Sequence, residues 1–186
     1  MTVGLGTSAR SVVVRAYEYA VRDRAGRIRE EHLLEGVLDR ADGRRLLGAA
    51  FVVERGWVQL LEELGASRRK GGVTVAEEAA LSGWGIDVDA LVHGLQDQLG
   101  PQALEIDEPA RPHWWRRPVF SEDALRVLSE AERHLSSTAG RLLGVEHLAL
   151  GLVTAPTALS DSLARRGVSE AGVQQLLVPS VSGGSR

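Results

Sequence analysis

The sequence predicts an all-α protein: a tandem, pseudo-twofold repeat of two four-helix units, with a helical insertion in the first repeat. Three observations lead there. First, Glu31-His32-Leu33-Leu34-Glu35-Gly36-Val37-Leu38 returns 115 residues later as Glu146-His147-Leu148-Ala149-Leu150-Gly151-Leu152-Val153. The same offset, without a gap, carries Ala9 onto Ala124, Val12 onto Val127 and Ala16 onto Ala131. Self-similarity at a fixed offset is the signature of a unit used twice. Second, Leu81 and Gly85-Ile86-Asp87 match Leu163 and Gly167-Val168-Ser169 at an offset of 82. The difference between the offsets makes the first copy 33 residues longer, the extra residues lying between Arg44 and Val73. Third, apolar residues recur at helical spacing through most of the chain. The β-prone runs Val12-Val13-Val14 and Phe51-Val52-Val53 sit inside longer helical patterns.

In order, the first repeat is expected over residues 7–99. A helix begins at Thr7, with Val13, Ala16, Tyr17 and Ala20 on one face, and Gly26 ends it. Glu30 and Glu31 open a second helix, where carboxylates suit the positive end of the dipole. Leu33, Leu34, Val37 and Leu38 give that helix its apolar face, and Asp42-Gly43 reads as a turn. The insertion occupies about 44–73. It is helical in pattern to Leu64, interrupted near Gly48 and Gly56, and ends in an exposed loop over Gly65–Gly72 that contains Arg68-Arg69-Lys70. A short helix follows from Val75 to Leu81, then one capped by Asp87 that runs to Leu99.

Residues 100–119 hold Pro101, Pro109, Pro112 and Pro118 and are expected to be a linker, because proline interrupts a helix. The second repeat spans 120–178. Ser121 caps a helix lined by Ala124, Leu128, Ala131 and Leu135, and Gly140 and Gly144 bracket a turn. Helices follow over Glu146–Val153, Thr157–Arg165 and Ser169–Leu177. Residues 179–186, rich in serine and glycine, read as a disordered tail.

Composition narrows the function classes. The chain has 186 residues, no cysteine and a formal charge of −3. Neither thiolate metal sites nor a disulfide framework can form. Bulk charge does not point to nucleic acid or an anionic membrane. No apolar run approaches the ~20 residues of a membrane helix, and Met1 to Arg10 lacks a signal-peptide stretch. The expectation is a soluble cytoplasmic protein.

The repeat resembles the N-terminal domain of Clp-type AAA+ unfoldases, most closely the ClpC type. The residues that carry the resemblance are Phe120-Ser121-Glu122-Asp123-Ala124 with Gly144-Val145-Glu146-His147-Leu148-Ala149-Leu150-Gly151-Leu152. In the first copy they are Leu5-Gly6-Thr7-Ser8-Ala9 with Arg29-Glu30-Glu31-His32-Leu33-Leu34-Glu35-Gly36-Val37. The family's pattern has a threonine where this chain has Val145 and Glu30, and Gly6 stands where the second copy has Ser121. No Gly-x-x-x-x-Gly-Lys-Ser/Thr phosphate loop occurs, so the chain looks like a Clp N-terminal domain without the ATPase. The resemblance implies a protein-binding module and no enzyme. Its expected ligands are peptides, substrate proteins, adaptors, Clp ATPase or protease components, small molecules or phosphoarginine proteins, and its expected role is adaptor or decoy in Clp-dependent proteolysis. It also implies site residues: Glu146 with Ser121 and the adjacent Glu122 at one site, and Glu31 with Thr7 at the other, the glutamate facing a guanidinium and the hydroxyl a phosphate.

Other features have simpler readings beside functional ones. Glu31 and Glu146 also favour their own helix starts, and His32 and His147 read as buried, hydrogen-bonded histidines rather than metal ligands. No metal or other cofactor is expected. Trp114, Trp115, Arg116 and Arg117 are a candidate partner-binding stretch. They read as a linker that pins the repeats together, with stacking on nucleic acid as the alternative. Trp57 and Trp84 read as core or insertion packing.

Overall fold

A computed structural model describes residues 4–47, 55–70, 73, 75–100, 118–137 and 141–177, and the fold is all-α. In chain order its elements are β1 (Gly4–Leu5), α1 (Thr7–Arg22), β2 (Arg27–Ile28), α2 (Glu30–Leu38), α3 (Ala41–Leu47), α4 (Arg55–Arg69), α5 (Val75–Gly83) and α6 (Val88–Leu99). Then come β3 (Val119–Phe120), α7 (Glu122–Ser137), β4 (Leu142–Leu143), α8 (Val145–Thr154), α9 (Ala158–Arg165) and α10 (Glu170–Leu177).

Two helical hairpins, α1–α2 and α7–α8, form the centre. Each is built the same way. Ala9, Val12, Ala16 and Ala20 make the buried stripe of α1, and Ala124, Val127, Ala131 and Leu135 that of α7. Small side chains on this stripe let the partner helix come close. A β-carbon on Gly36 would lie 2.7 Å from the Val12 carbonyl oxygen, and one on Gly151 would lie 2.5 Å from that of Val127. One hydrogen bond spans each hairpin at the same offset of 115 with different chemistry. The Tyr19 hydroxyl donates to Asp39 Oδ2 at 2.5 Å, and His134 Nε2 meets Thr154 Oγ1 at 3.0 Å. Burial and this bond push the Tyr19 phenol up to about 12.

The expected face of α1 is rotated. Val13 is half-buried and Tyr17 is exposed, while Val12 takes the core position. The helix also stops before Gly26. Ala25 N–H bonds to Ala20 O at 2.8 Å and Arg24 N–H to Val21 O at 3.1 Å, with Arg24 at φ +54. That is a Schellman end with arginine in the position glycine usually takes.

No strand is expected at these positions, yet short parallel strands tie the hairpins together. β1 pairs with β4 (Gly4 with Leu142, Leu5 with Leu143), and β2 pairs with β3 (Arg27 with Val119, Ile28 with Phe120). β1 thus pairs with the strand that follows α7, and β2 with the strand that precedes it. Two residues per strand are too few for alternation to show. One hydrophobic cluster runs from Ala9 to Val173 and includes residues of both halves.

The first half differs from expectation in three further places. Asp42-Gly43 is not a turn but lies inside α3. A β-carbon at Gly43 would sit 2.0 Å from the Val37 carbonyl oxygen, so this glycine permits close packing against the end of α2. Residues 65–69 continue α4 instead of forming a loop, because Leu64 and Ser67 are buried on it. Trp84 is 80% exposed, because the turn that carries it faces away from the core. Helix α3 packs on α2, α8 and α10, and α4 packs on α9. Glu63 of α4 holds Arg166 at 2.9 Å and Arg165 at 3.4 Å. Helices α5 and α6 pack chiefly on each other and are tied to α4 by Lys70, which reaches Glu78 at 2.6 Å and Asp89 at 2.9 Å.

Candidate functional site

Each strand pair is parallel and each strand runs directly into a helix. Two helix starts therefore lie side by side at each pair, with their backbone N–H groups and positive dipole ends together. At one pair the Gly6 N–H bonds to Leu143 O at 2.9 Å, and the Ser8 hydroxyl of α1 accepts from the Val145 N–H of α8 at 3.3 Å. At the other the Ser121 N–H bonds to Ile28 O at 2.9 Å, which sets the start of α7 beside that of α2.

This exchange overturns the pairing expected from the sequence. Glu146 does not share a site with Ser121, and Glu31 does not share one with Thr7. Glu146 and Thr7 belong to the α1–α8 start, Glu31 and Ser121 to the α2–α7 start. The matched signature residues of one copy cross over because their strands pair with the other half.

The two starts differ in chemistry. The N-cap of α1 is Gly6, which has no side chain to cap the helix, and the first turn of α1 contains no acidic residue. Thr7, its first residue, is exposed. The N-cap of α8 is Gly144, which likewise has no side chain of its own, so the cap to the Val145 N–H comes from Ser8. The Glu146 side chain is 39% exposed, with Oε1 3.2 Å from His147 Nδ1, and its carboxylate fills the space a β-carbon on Gly144 would need. His147 is buried, and its Nδ1 accepts from the Gly144 N–H at 3.0 Å. An accepting Nδ1 puts the proton of the neutral ring on Nε2. Burial lowers the His147 pKa, against the opposing pull of Glu146.

The α2–α7 start is acidic, and Ser121 caps α7. Ser121 is buried, and its hydroxyl accepts from the Ala124 N–H at 3.1 Å. Glu122 is exposed and accepts from Arg126 at 2.5 Å, an ordinary pair one turn apart. Glu30, Glu31, Glu122 and Asp123 place four carboxylates in the two first turns. Glu31 is buried and lines a cavity of about 500 Å³ with Arg22, Asp23, Arg24, Arg29, Glu35 and Leu61. The charges there compensate internally. Arg22 holds Asp23 at 2.7 Å and Glu35 at 3.1 Å, and its guanidinium keeps the Asp23 carboxyl below its usual range. Burial raises Glu35 despite Arg22. Leu61 comes from α4, so the insertion walls this groove. His32 is buried like His147 and accepts the Arg29 N–H at 2.9 Å.

Sequence reasoning missed Ser8 and the arginines around Glu31. Ser8 stands one place past the expected hydroxyl position, and only the strand exchange reveals its role. Trp114, Trp115, Arg116 and Arg117 lie outside the described residues, as does the side chain of Trp57. Among the described residues, no group of three or more His, Asp or Glu side chains could hold a metal ion, and no helix is long and apolar enough to cross a membrane. No protein-family model matches the chain, and a search of curated proteins gave no significant match.

Proposed function

We propose that this chain is a protein-binding module of the kind its sequence resembles, the Clp N-terminal domain, built from one helical unit used twice. The ligand site in this reading is the paired start of α1 and α8. The observation that carries it is the meeting of two helix starts whose N-caps, Gly6 and Gly144, have no side chain of their own, beside the half-exposed carboxylate of Glu146. Backbone amides at a helix start seat a phosphate, and a carboxylate takes a guanidinium bidentately. A phosphorylated arginine side chain carries both groups, so a protein or peptide modified in this way is the ligand that the chemistry fits. The α2–α7 start is poorer for the purpose. A serine occupies one amide at each pair, Ser8 at α1–α8 and Ser121 at α2–α7, but the four first-turn carboxylates of α2–α7 repel a phosphate where α1–α8 has Glu146 alone. Binding at α1–α8 lets the module bring modified proteins to a Clp unfoldase or compete with one for them.

The test is calorimetric titration of the full chain with a short phosphoarginine peptide, the unmodified peptide serving as control. Binding should need the phosphate. It should fall by about tenfold or more in Glu146→Ala, as expected for loss of a charge-assisted pair, and survive in Glu31→Ala. No binding of the modified peptide, or loss in Glu31→Ala alone, refutes the assignment.

A further inference from the structure

The α5–α6 hairpin has a counterpart in α9–α10, 82 residues on. The turns are made alike. Gly85 and Gly167 have φ of +81 and +82. Ile86 N–H bonds to Leu81 O at 2.9 Å, and Val168 N–H to Leu163 O at 3.0 Å. Asp87 Oδ1 accepts from the Ala90 N–H at 3.0 Å, as Ser169 Oγ does from that of Gly172 at 3.2 Å. With the same turn, residues at matching positions share a face. In α9–α10 that face is Leu163, Val168 and Val173, all within the core. In α5–α6 the same positions are Leu81, Ile86 and Leu91. Leu81 is only half-buried, Ile86 is 39% exposed and Leu91 53% exposed. Helix α6 buries a different pair, Val88 and Val92. Among the described residues the hairpin thus keeps a core-type apolar face with no core beneath it, and Trp84 is exposed in the same turn.

Its charge is one-sided as well. Residues 75–100 contain Glu77, Glu78, Asp87, Asp89 and Asp97 and no lysine or arginine; Lys70 answers Glu78 and Asp89 from outside the hairpin, and a single cation against five carboxylates leaves it net acidic. A second copy of the hairpin would bring like charge against like charge, which disfavours self-association. An apolar face among carboxylates is instead complementary to a helix with an apolar stripe flanked by lysine or arginine. We propose that this outer face of α5–α6 docks a basic amphipathic helix of another protein. The site is separate from the paired helix starts and does not depend on that reading.

The probe is a labelled peptide of about 15 residues with leucine at i, i+3, i+4 and i+7 and lysine elsewhere. A peptide with glutamate in place of lysine is the control, and both are titrated into the full chain by fluorescence anisotropy. The lysine peptide should bind, weaken as salt rises, and bind roughly tenfold or more weakly to the double variant Ile86→Ser, Leu91→Ser, as expected when two apolar side chains leave an interface. Both positions are exposed, so the melting temperature of the double variant should stay near that of the parent. Glu146→Ala should leave this binding unchanged. Equal binding of both peptides, unchanged binding by the double variant, or a dimer in sedimentation that the double variant abolishes would each overturn the proposal, the last by making a second copy the occupant.

Discussion

Replacing Gly151 by alanine tests the central contact of the fold. The new β-carbon would sit 2.5 Å from Val127 O, 3.0 Å from Ala131 N and 3.1 Å from Ala131 Cβ. An ordinary carbon–oxygen contact is about 3.3–3.6 Å, so α8 must move away from α7 by roughly 1 Å. Two of the three atoms are backbone, and no rotamer change relieves them. A gap of that size forfeits about a quarter to a half of the dispersion attraction across the interface. Overpacking costs about 1–3 kcal/mol and more where the backbone resists. Against this, alanine is about 1 kcal/mol better than glycine inside a helix. With the overpacking cost at its upper end, because backbone atoms resist, the net expectation is a loss of about 2 kcal/mol, a fall in Tm of roughly 4–8 °C for a chain of this size. Gly36→Ala, facing Val12 O at 2.7 Å, should behave alike. Gly94→Ala is the control. It lies in α6 with nothing within 4 Å of the added carbon, and it should be neutral or stabilising by up to about 1 kcal/mol. Urea denaturation followed by far-ultraviolet circular dichroism measures all three. A Gly151→Ala protein as stable as the parent would refute the close-approach account of both hairpins.

The remaining expectations concern the helix starts. Ser121→Ala removes the buried hydroxyl that accepts from the Ala124 N–H, and should cost about 1 kcal/mol in the same assay; no loss would mean that the cap contributes nothing. His147 supplies a pH test. Its pKa is lowered in the folded protein, chiefly by burial, so the unfolded chain binds the proton more readily. Its contribution to stability is complete above the ordinary histidine value of about 6.5 and is lost as pH falls through the folded value. His147→Asn, which keeps an acceptor for the Gly144 N–H, should flatten the fall in stability just below that pH; an unchanged profile would assign the dependence to other groups.

The all-α class was legible because apolar spacing is a local property, and the offset of 115 was legible because Gly36 and Gly151 must repeat wherever helices approach this closely. Ser121 as a cap, Asp87 as a cap and the turns at Gly85 and Gly167 were legible for the same reason: each is a contact within five residues. Asp42-Gly43 misled because glycine serves both turns and close packing, and only the Val37 carbonyl beside Gly43 decides between them. Trp84 misled because its composition suits a core that the hairpin does not reach.

What the sequence determined by itself is therefore the all-α class and the caps and turns at Ser121, Asp87, Gly85 and Gly167, since these depend on neighbours in the chain. The tertiary structure alone decided which helix starts meet. The strands of two residues that exchange partners between the halves carry no pattern of their own, and their pairing is fixed by how the two hairpins share one core. That sharing sets Glu146 beside Thr7 and Ser8, leaves Glu31 under Leu61 of the insertion, and holds the apolar face of α5–α6 out in solvent.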